Sequence, residues 1–404
     1  MAQPYRVNTI EKGVAVKRSA ISVAMLAVFG IASVHAQTYT FTDLGHADGV
    51  SAAAAGINSA GQVVGLYMDS SHLNHAVTWI NGQAIELGSA STNWGFGGFS
   101  NPWGMSGSAI SINNAGQIVW SPVDINNASH ATAWNNGVTT DLGTLGGAQS
   151  EALGINQAGQ IVGRAQDVNG NWQAVAWNNG QPTELAAPVG TSSWQANAVN
   201  NAGQIVGTGI RQSDNTRQPV MWDQGVATNL DTSWTQSYQI QAYGLNNVGQ
   251  VVGSVKAPNN VDYYRAVEWD HGVATLLGMP SGYYAAEAKG VNDAGQVVGF
   301  MLSHDANVSF RAATWINGQV VDLNSLLSAS VLDEGWVLLG ANAINDNGQI
   351  VGQAYNSKMG VINAFVLTPV PESSTLAMMF LGLGAVTMGA RWRSVGKGHA
   401  QARG

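Results

Sequence analysis

The sequence contains no cysteine, and only 10% of its 404 residues are charged. Without cysteine the chain has neither a disulfide framework nor thiol chemistry, so packing and hydrogen bonds must hold it together. Proline is scarce, with 10 residues, whereas glycine is abundant, with 50. Hydrophobic residues make up 45% of the chain, and tryptophan occurs 14 times. This composition is typical of a folded protein with a buried core.

An overall excess of basic residues is also missing. The formal net charge is −8, and both ends are basic, so the central part of the chain is more acidic than the whole. An acidic surface repels the phosphate backbone of DNA and RNA. We therefore expect no nucleic-acid partner.

A turn motif recurs through the middle of the chain. In one copy, Gly154–Gly163, the motif Asn-x-x-Gly separates a short apolar run from Gln-Ile-Val-Gly. Asn favours the first position of a type I turn and Gly the last, and β-branched residues favour strands. Seven such copies occur, and their turn glycines, 43 to 55 residues apart, are Gly61, Gly116, Gly159, Gly203, Gly249, Gly295 and Gly348.

An aromatic residue follows each turn glycine after 17 to 20 residues, and most of these aromatics precede a second turn of the Asn-Gly type. Asn-Gly is the strongest short signal for a β-hairpin. One unit therefore holds four short strands, a to d, which is the size of a propeller blade. We predict an all-β fold over residues 37–369, a seven-bladed β-propeller with four-stranded blades.

The two ends of this region predict how the ring closes. The last unit stops after its third strand, Ala364–Thr368, and the strand-like segment Thr38–Gly45 precedes the first unit. We predict that this N-terminal strand completes the last blade, because closure removes an open sheet edge that would invite aggregation.

The N-terminus has the pattern of a secretory signal peptide. Lys17 and Arg18 precede an apolar run, Ala20–Ala32, and small residues stand at the end of Val34–Ala36. We predict a signal peptide over residues 1–36, including a hydrophobic helix, with cleavage after Ala36.

The C-terminus predicts a second hydrophobic helix. The motif Val370, Pro371, Glu372 and Ser373 precedes an apolar run that ends at a basic cluster, Arg391–Arg393. We predict a sorting segment with a transmembrane helix over residues 370–393 and a basic cytoplasmic tail over 394–404.

This layout resembles the PEP-CTERM sorting signal of Gram-negative bacteria, with Ser373 in place of that family's second proline. The resemblance implies transient residence in the inner membrane and cleavage near the motif by exosortase-type machinery. The body would then reach the cell surface or the extracellular polymer. A plain membrane anchor is the alternative.

The repeat itself carries a second resemblance. The pattern Ala-x-Gly-Ile-Asn-x-x-Gly-Gln-Ile-Val-Gly, followed by Ala-x-x-Trp, Asn-Gly and Asp-Leu-Gly, resembles the bacterial extracellular HAF repeat family over nearly all of residues 38–368. The chain departs from this pattern at Trp120, where Gly is usual, and at Phe365, which replaces Trp. The resemblance implies a surface or secreted repeat protein and brings no catalytic residues with it.

Aromatic residues gather in the b–c and d–a loops, which alternation of the strands places on one face. Loops on a rigid scaffold are where binding sites are usually found. These aromatics suit stacking on the sugar rings of an extracellular polysaccharide, or they pack between blades as structure. The ligand-binding candidates are Trp94, Phe96, Phe99, Trp103, Trp194, Trp234, Tyr283, Tyr284 and Trp336.

Acidic residues occupy the same loops. Carboxylate oxygens are suitable ligands for Ca²⁺, although Asp is also common in turns as a cap. The candidate metal ligands are Asp69, Asp124, Asp167, Asp214, Asp262 and Asp305. We expect no cofactor other than this Ca²⁺ ion.

The sequence carries no recognisable catalytic motif. It has no nucleophile elbow, phosphate loop or dinucleotide fingerprint, and its histidines show no metal-ligand spacing. A glycosidase needs two carboxylates across one sugar bond, which adjacent residues such as Asp333 and Glu334 do not provide. We predict a non-enzymatic binding or structural module, with a propeller-type polysaccharide hydrolase or lyase as the alternative.

Overall fold

The computed structural model describes residues 38–46, 50–71, 73–80, 82–89, 111–122, 128–233, 235, 239–256, 263–304 and 310–371. Across these residues, the chain forms 28 β-strands, one short α-helix and one 3-10 helix. The prediction of an all-β protein is confirmed. The predicted signal peptide, the tail at 394–404 and the sorting segment beyond Pro371 lie outside the described residues. Among the described helices, none is long and apolar enough to cross a membrane.

The strands form antiparallel groups of four, numbered here in chain order. The chain enters through β1 (Tyr39–Gly45). Group 1 contains β2 Ser51–Ile57, β3 Val63–Met68, β4 Asn74–Ile80 and β5 Gln83–Ser89. Group 2 contains β6 Ser111–Ile112, β7 Ile118–Trp120, β8 Thr132–Asn135 and β9 Val138–Asp141. Group 3 contains β10 Gly146–Ile155, β11 Ile161–Asp167, β12 Trp172–Asn178 and β13 Gln181–Glu184.

The later groups follow the same order. Group 4 contains β14 Thr191–Val199, β15 Ile205–Arg211, β16 Arg217–Asp223 and β17 Val226–Asn229. Group 5 contains β18 Ile240–Leu245, β19 Val251–Lys256, β20 Tyr264–Asp270 and β21 Val273–Leu276. Group 6 contains β22 Tyr283–Val291, β23 Val297–Ser303, β24 Phe310–Ile316 and β25 Gln319–Asp322. Group 7 contains β26 Trp336–Ile344, β27 Ile350–Asn356 and β28 Val361–Pro369, with β1 as its fourth strand.

Group 7 is completed by the N-terminal strand, which is the pairing that the sequence predicted. The strand β1 runs antiparallel to β28, from the pair Tyr39 and Pro369 to the pair Asp43 and Phe365. The Tyr39 hydroxyl also accepts a hydrogen bond from Gln296 Nε2 at 3.1 Å. Two distant parts of the chain are thereby joined, and the outer edge of β28 is covered.

The Asn-x-x-Gly turn is built by its asparagine side chain. In group 3, Asn156 Oδ1 accepts hydrogen bonds from the backbone N–H groups of Ala158 at 3.1 Å and Gln160 at 2.9 Å. Gly159 closes the turn with φ +79°, a conformation that favours glycine. The asparagine therefore acts as a template for the hairpin, as Asx turns do.

The same asparagine links each group to the next. Asn156 Nδ2 donates to the backbone oxygen of Asn200 at 3.0 Å, and the last asparagine, Asn345, donates to the backbone oxygen of Asn58 at 2.9 Å. These bonds form a closed cycle through Asn58, Asn113, Asn156, Asn200, Asn246, Asn292 and Asn345.

The glycine of Ile-Val-Gly lets the first two strands of a group approach closely. A Cβ atom at Gly163 would lie 1.9 Å from the backbone oxygen of Glu151, and the equivalent glycines in β3, β15, β19, β23 and β27 show the same contact. Group 2 has Trp120 at this position, and its first strand pairs with β7 through Ser111 and Ile112. The missing side chain at this position therefore permits the close approach in the six groups that carry glycine there.

Tryptophans near the ends of the third strands fasten neighbouring groups together. Trp79 Nε1 donates to the backbone oxygen of Leu44 at 3.0 Å, and Trp315 Nε1 donates to that of Gly278 at 2.7 Å. Trp222 and Trp269 make the equivalent bonds. Each acceptor lies within the preceding group's fourth strand or two residues beyond it, so this indole is part of the inter-group contact.

A short helical segment separates groups 6 and 7. It consists of a 3-10 helix, Leu323–Leu326, and helix α1, Ala329–Asp333. Leu323 and Leu327 from this segment pack with Trp336 in one buried cluster. The sequence did not predict this helical segment.

A candidate site in the central cavity

A cavity of about 460 Å³ lies between the first strands of the groups. Its lining comes from β2, β6, β10, β14, β18, β22 and β26 and from the Asn-x-x-Gly turns that follow them. This volume falls within the range of roughly 300–1,000 Å³ that is usual for small-molecule sites. Residues of the tight turns thus take part in a pocket, although the sequence interpretation directed attention to the loops on the other face.

A β-bulge interrupts the first strand in each group where the structure describes the relevant residues. In β10, for example, the register shifts between Ala152 and Gly154 and leaves Leu153 as the extra residue. Bulges bend a strand and re-aim a side chain. The bulged residues, which all line the cavity, are Ala55, Leu153, Asn197, Tyr243, Lys289 and Asn342.

These bulged residues differ in chemistry around the cavity. Groups 1 and 3 contribute the apolar side chains of Ala55 and Leu153, whereas groups 4 to 7 contribute polar or charged side chains. The equivalent residue of group 2 lies outside the described residues. The described wall is therefore polar along one arc, which we call the polar wall: Asn197, Tyr243, Lys289 and Asn342.

Two amides of the polar wall are fixed by the neighbouring strands. Asn197 Nδ2 donates to the backbone oxygen of Ala242 at 2.5 Å, and its Oδ1 accepts from Gln195 Nε2 at 2.7 Å. Asn342 Nδ2 donates to the backbone oxygen of Ala54 at 2.8 Å. Both side chains bridge between groups, so the wall is held in place before any ligand arrives.

A charged pair lies at the centre of the polar wall. Lys289 Nζ lies 2.6 Å from Glu287 Oε2 and 3.9 Å above the ring of Tyr243. The Glu287 side chain is only 1% exposed, against 18% for Lys289, and the Tyr243 side chain is a second hydrogen-bond partner of Glu287. Lys289 is the one cationic side chain among the described residues that line the cavity.

Burial is the largest influence on the pKa values of Glu287 and of the neighbouring Tyr243. Burial raises the pKa of the Glu287 carboxyl, although the Lys289 ammonium opposes the shift. Burial, followed by the Glu287 charge, also raises the pKa of Tyr243 far above its usual value. Tyr243 therefore stays a neutral phenol, and its oxygen accepts a hydrogen bond from Ser254 Oγ at 3.3 Å.

Two carboxylates lie where the turns meet the cavity. Asp293 Oδ1 accepts from the backbone N–H of Asn247 at 2.8 Å, and Asp346 Oδ1 accepts from the backbone N–H of Asp293 at 3.0 Å. Both residues line the cavity. The rim that they form is negatively charged, in contrast to the equivalent Asn201 and Asn247 of groups 4 and 5.

The predicted aromatic ligand-binding residues are only partly described. Trp94, Phe96, Phe99, Trp103 and Trp234 lie outside the described residues. Two guanidinium groups lie over the ring of Trp194. That of Arg217 is 4.8 Å from the ring centroid, and that of Arg164 is 5.5 Å from it.

The other aromatic candidates occupy three different settings. Tyr284 clusters with Tyr263 and His304, with ring centroids 4.9 and 4.7 Å away. Tyr283 is half-buried, and its hydroxyl donates to Asp322 Oδ2 at 3.3 Å. Trp336 is 4% exposed and packs 5.2 Å from the ring of Phe41. A buried ring offers no face to a sugar, so Trp336 is a core residue and not a ligand-binding one.

The described candidate metal ligands cap their own turns. Asp69, Asp167 and Asp214 each accept hydrogen bonds from residues two to four positions further on. These bonds lower the pKa of the three carboxyls, led by the backbone N–H of Leu73 for Asp69, that of Asn171 for Asp167 and the hydroxyl of Thr216 for Asp214. Asp124, Asp262 and Asp305 lie outside the described residues. Within the described part of the chain, no group of three His, Asp or Glu side chains is arranged to hold a metal ion.

Asp69 also belongs to a small polar cluster in group 1. His75 bonds Asp69 Oδ2 through Nε2 at 3.1 Å and Glu86 Oε1 through Nδ1 at 2.8 Å. Its ring stacks on Tyr67 at 4.8 Å. Burial alone would lower the pKa of His75, but the hydrogen bonds to Asp69 and Glu86 outweigh burial and raise it.

No protein-family model and no curated protein matches the sequence. The β-propeller domain of the Trilobed protease from Pyrococcus furiosus is similar over 80% of this chain and 98% of its own, at 10% identity and a TM-score of 0.49. The acylaminoacyl peptidase of Pyrococcus horikoshii is similar over 84% of this chain, at 10% identity and a TM-score of 0.48. The matched region spans about half of that peptidase, 55% of its length. Identities and scores this low carry neither fold nor activity over to this chain, whose own strand groups show an all-β repeat protein.

Proposed function

We propose that the protein is an exported, seven-bladed β-propeller that acts as a non-enzymatic binding module at the cell surface or in the extracellular matrix. The four-stranded groups are its blades, and the closed cycle of asparagine hydrogen bonds supports the count of seven. Extracellular polysaccharide is the ligand class that fits the predicted location.

The ring of bulged residues around the cavity carries this proposal. The same backbone feature recurs in successive groups, yet it presents Ala55, Leu153, Asn197, Tyr243, Lys289 and Asn342. A constant scaffold that holds different side chains around one cavity is suited to recognition. Hydrogen-bond donors beside an aromatic residue are the usual lining of a small-molecule site.

The binding proposal is tested with the purified chain and a panel of bacterial extracellular polysaccharides. We expect wild-type protein to bind at least one polymer, and Ala55→Trp to abolish binding by filling the cavity. Val226→Thr is the control, because Val226 is exposed on β17. If wild type binds no polymer, the proposal is wrong. Release of new chain ends during the incubation would favour the hydrolase or lyase alternative.

Export and sorting are tested separately by cell fractionation. The predicted signal peptide and C-terminal segment imply passage through the inner membrane and processing by exosortase-type machinery. We expect full-length chain to appear transiently in the membrane, and a chain that ends at Pro369 to be released without membrane retention. Equal membrane retention of the two chains would contradict the sorting proposal.

A further inference from the structure

We infer that the central cavity selects a neutral saccharide unit over an acidic one, and that the Lys289–Glu287 pair and the rim carboxylates impose this selection. The inference rests on the proposed function, because it takes the cavity as the ligand site. It adds the chemical class of the ligand and the residues that define that class.

The polar wall carries one ammonium group that is balanced by a carboxylate behind it. Lys289 is the single cation of the described lining, and Glu287 lies 2.6 Å from it. The two charges cancel, so the ammonium group offers its remaining N–H groups as hydrogen-bond donors without a net positive charge. Donors of this kind suit the hydroxyl oxygens of a neutral sugar.

Tyr243 and Asn342 lie on either side of these donors in the cavity lining. The Tyr243 ring lies under Lys289 Nζ at 3.9 Å and belongs to the cavity lining. Asn342 lines the cavity from the group after that of Lys289, and its Nδ2 donates to the backbone oxygen of Ala54. The amide oxygen is then the acceptor that Asn342 can offer to a hydroxyl group. Donors and an acceptor side by side match the hydroxyl groups of a sugar ring, and the buried Tyr243 ring supports Lys289 from below.

A negatively charged ligand in the cavity would be repelled by carboxylates of the protein. A uronate carboxylate in this cavity would meet Glu287 behind Lys289 and the carboxylates of Asp293 and Asp346 at the rim. Glu287 is buried, where like charges repel strongly and a charge is costly without a partner of its own, whereas the exposed Asp293 and Asp346 add a weaker repulsion that water and salt screen. Lys289 could be that partner only by sharing its one positive charge with Glu287, which is buried behind it.

The experiment compares matched neutral and acidic ligands at pH 8. The probes are glucan, galactan and mannan hexasaccharides and their C6-oxidised uronate counterparts, titrated calorimetrically into the full chain. We expect a neutral hexasaccharide to bind at least about tenfold tighter than its uronate counterpart. Binding of the neutral probe should change little between low and moderate salt, because no net charge is paired.

Two sets of variants assign the selection to its residues. Glu287→Gln keeps the side-chain shape and leaves Lys289 uncompensated, so uronate affinity should rise about tenfold while neutral affinity stays within about threefold. Glu184→Gln on β13 is the matched control and should change neither. The double variant Asp293→Asn with Asp346→Asn should also raise uronate affinity, and its fold is protected because Asn201 and Asn247 occupy the equivalent positions.

The outcomes separate the inference from the proposed function. Wild-type protein that binds neither ligand class would overturn both. Uronate binding equal to or tighter than neutral binding would overturn the inference alone and leave a binding module. If the ratio of neutral to uronate affinity is unchanged in folded Glu287→Gln and in the rim double variant, these carboxylates do not cause the selection and the inference is wrong.

Discussion

The closed cycle of asparagines predicts a large stability cost for one side-chain deletion. Asn156 is buried in its turn, and Asn156→Ala removes two acceptor contacts, to the N–H groups of Ala158 and Gln160. The same change removes the donor to the backbone oxygen of Asn200 in the next group. Three backbone groups therefore lose their partners together.

The magnitude follows from these three groups. A buried polar group left without its partner costs about 1–3 kcal/mol. The turn is partly accessible to water, so we take the lower end for each group and expect Asn156→Ala to lower the free energy of unfolding by about 3 kcal/mol. Gln157 is the control, because its Oε1 accepts a single bond from the N–H of exposed Asn114 at 2.7 Å. Gln157→Ala should cost less than about 1 kcal/mol.

The assay is urea unfolding of both variants and wild type, followed by tryptophan fluorescence. Similar slopes with a lower midpoint for Asn156→Ala would show a change in stability without a change in the surface exposed. A loss below about 1 kcal/mol for Asn156→Ala, or equal losses for the two variants, would refute the argument that the inner cycle holds the groups together.

Three further predictions follow from the fold. Gly163→Ala should destabilise the protein by about 1–3 kcal/mol, because its Cβ would lie 1.9 Å from the backbone oxygen of Glu151; unchanged urea unfolding would contradict this. A chain that lacks Thr38–Gly45 should aggregate in size-exclusion chromatography, because β28 loses its covering strand, whereas a chain that begins at residue 37 should remain dispersed. The pKa of His75 is raised in the folded state, so its hydrogen bonds should contribute stability below about pH 6.5, the unfolded value, and lose it as pH rises through the folded pKa. His75→Gln should remove that dependence between pH 5 and 8, and a persistent dependence in the variant would assign it to other groups.

The turns and the closing strand could be predicted because their signals are local. Asn179 and Gly180 both have positive φ, 51° and 75°, which is what the Asn-Gly pair predicts for a two-residue hairpin. The pairing of β1 with β28 followed from counting strands at the two ends of the repeat region. Neither inference required knowledge of a distant contact.

The helical segment and the burial of Trp336 could not be predicted from local signals. Trp336 stands in a stretch that resembles a loop by spacing, so the sequence marked it as an exposed aromatic. In the structure it begins β26 and lies against Phe41, which comes from the other end of the chain. Burial through a contact between residues almost 300 positions apart leaves no trace in the local pattern.

The cavity residues were missed for a different reason. In a strand with strict alternation, Leu153 or Lys289 would point to the face opposite that of its immediate neighbours in sequence. A period-two pattern contains no signal for an extra, bulged residue. The repeats do contain a signal, however. Between a constant alanine and a glycine or alanine, one position changes from Ala55 to Tyr243 to Lys289 while its surroundings hardly change.

Variation at one position inside a constant frame has a physical meaning in a ring of repeats. Residues that pack one group on the next must stay alike, because every group meets the same kind of neighbour. A side chain re-aimed toward the cavity is less confined by the next group, although Asn197 and Asn342 still bond to it, and it differs between copies. The tight turns therefore adjoin a position at which the copies differ in chemistry, although the sequence analysis looked for binding residues in the b–c and d–a loops. In a ring of this kind, the residue that breaks the repeat beside its most regular motif is the one to test first for ligand binding.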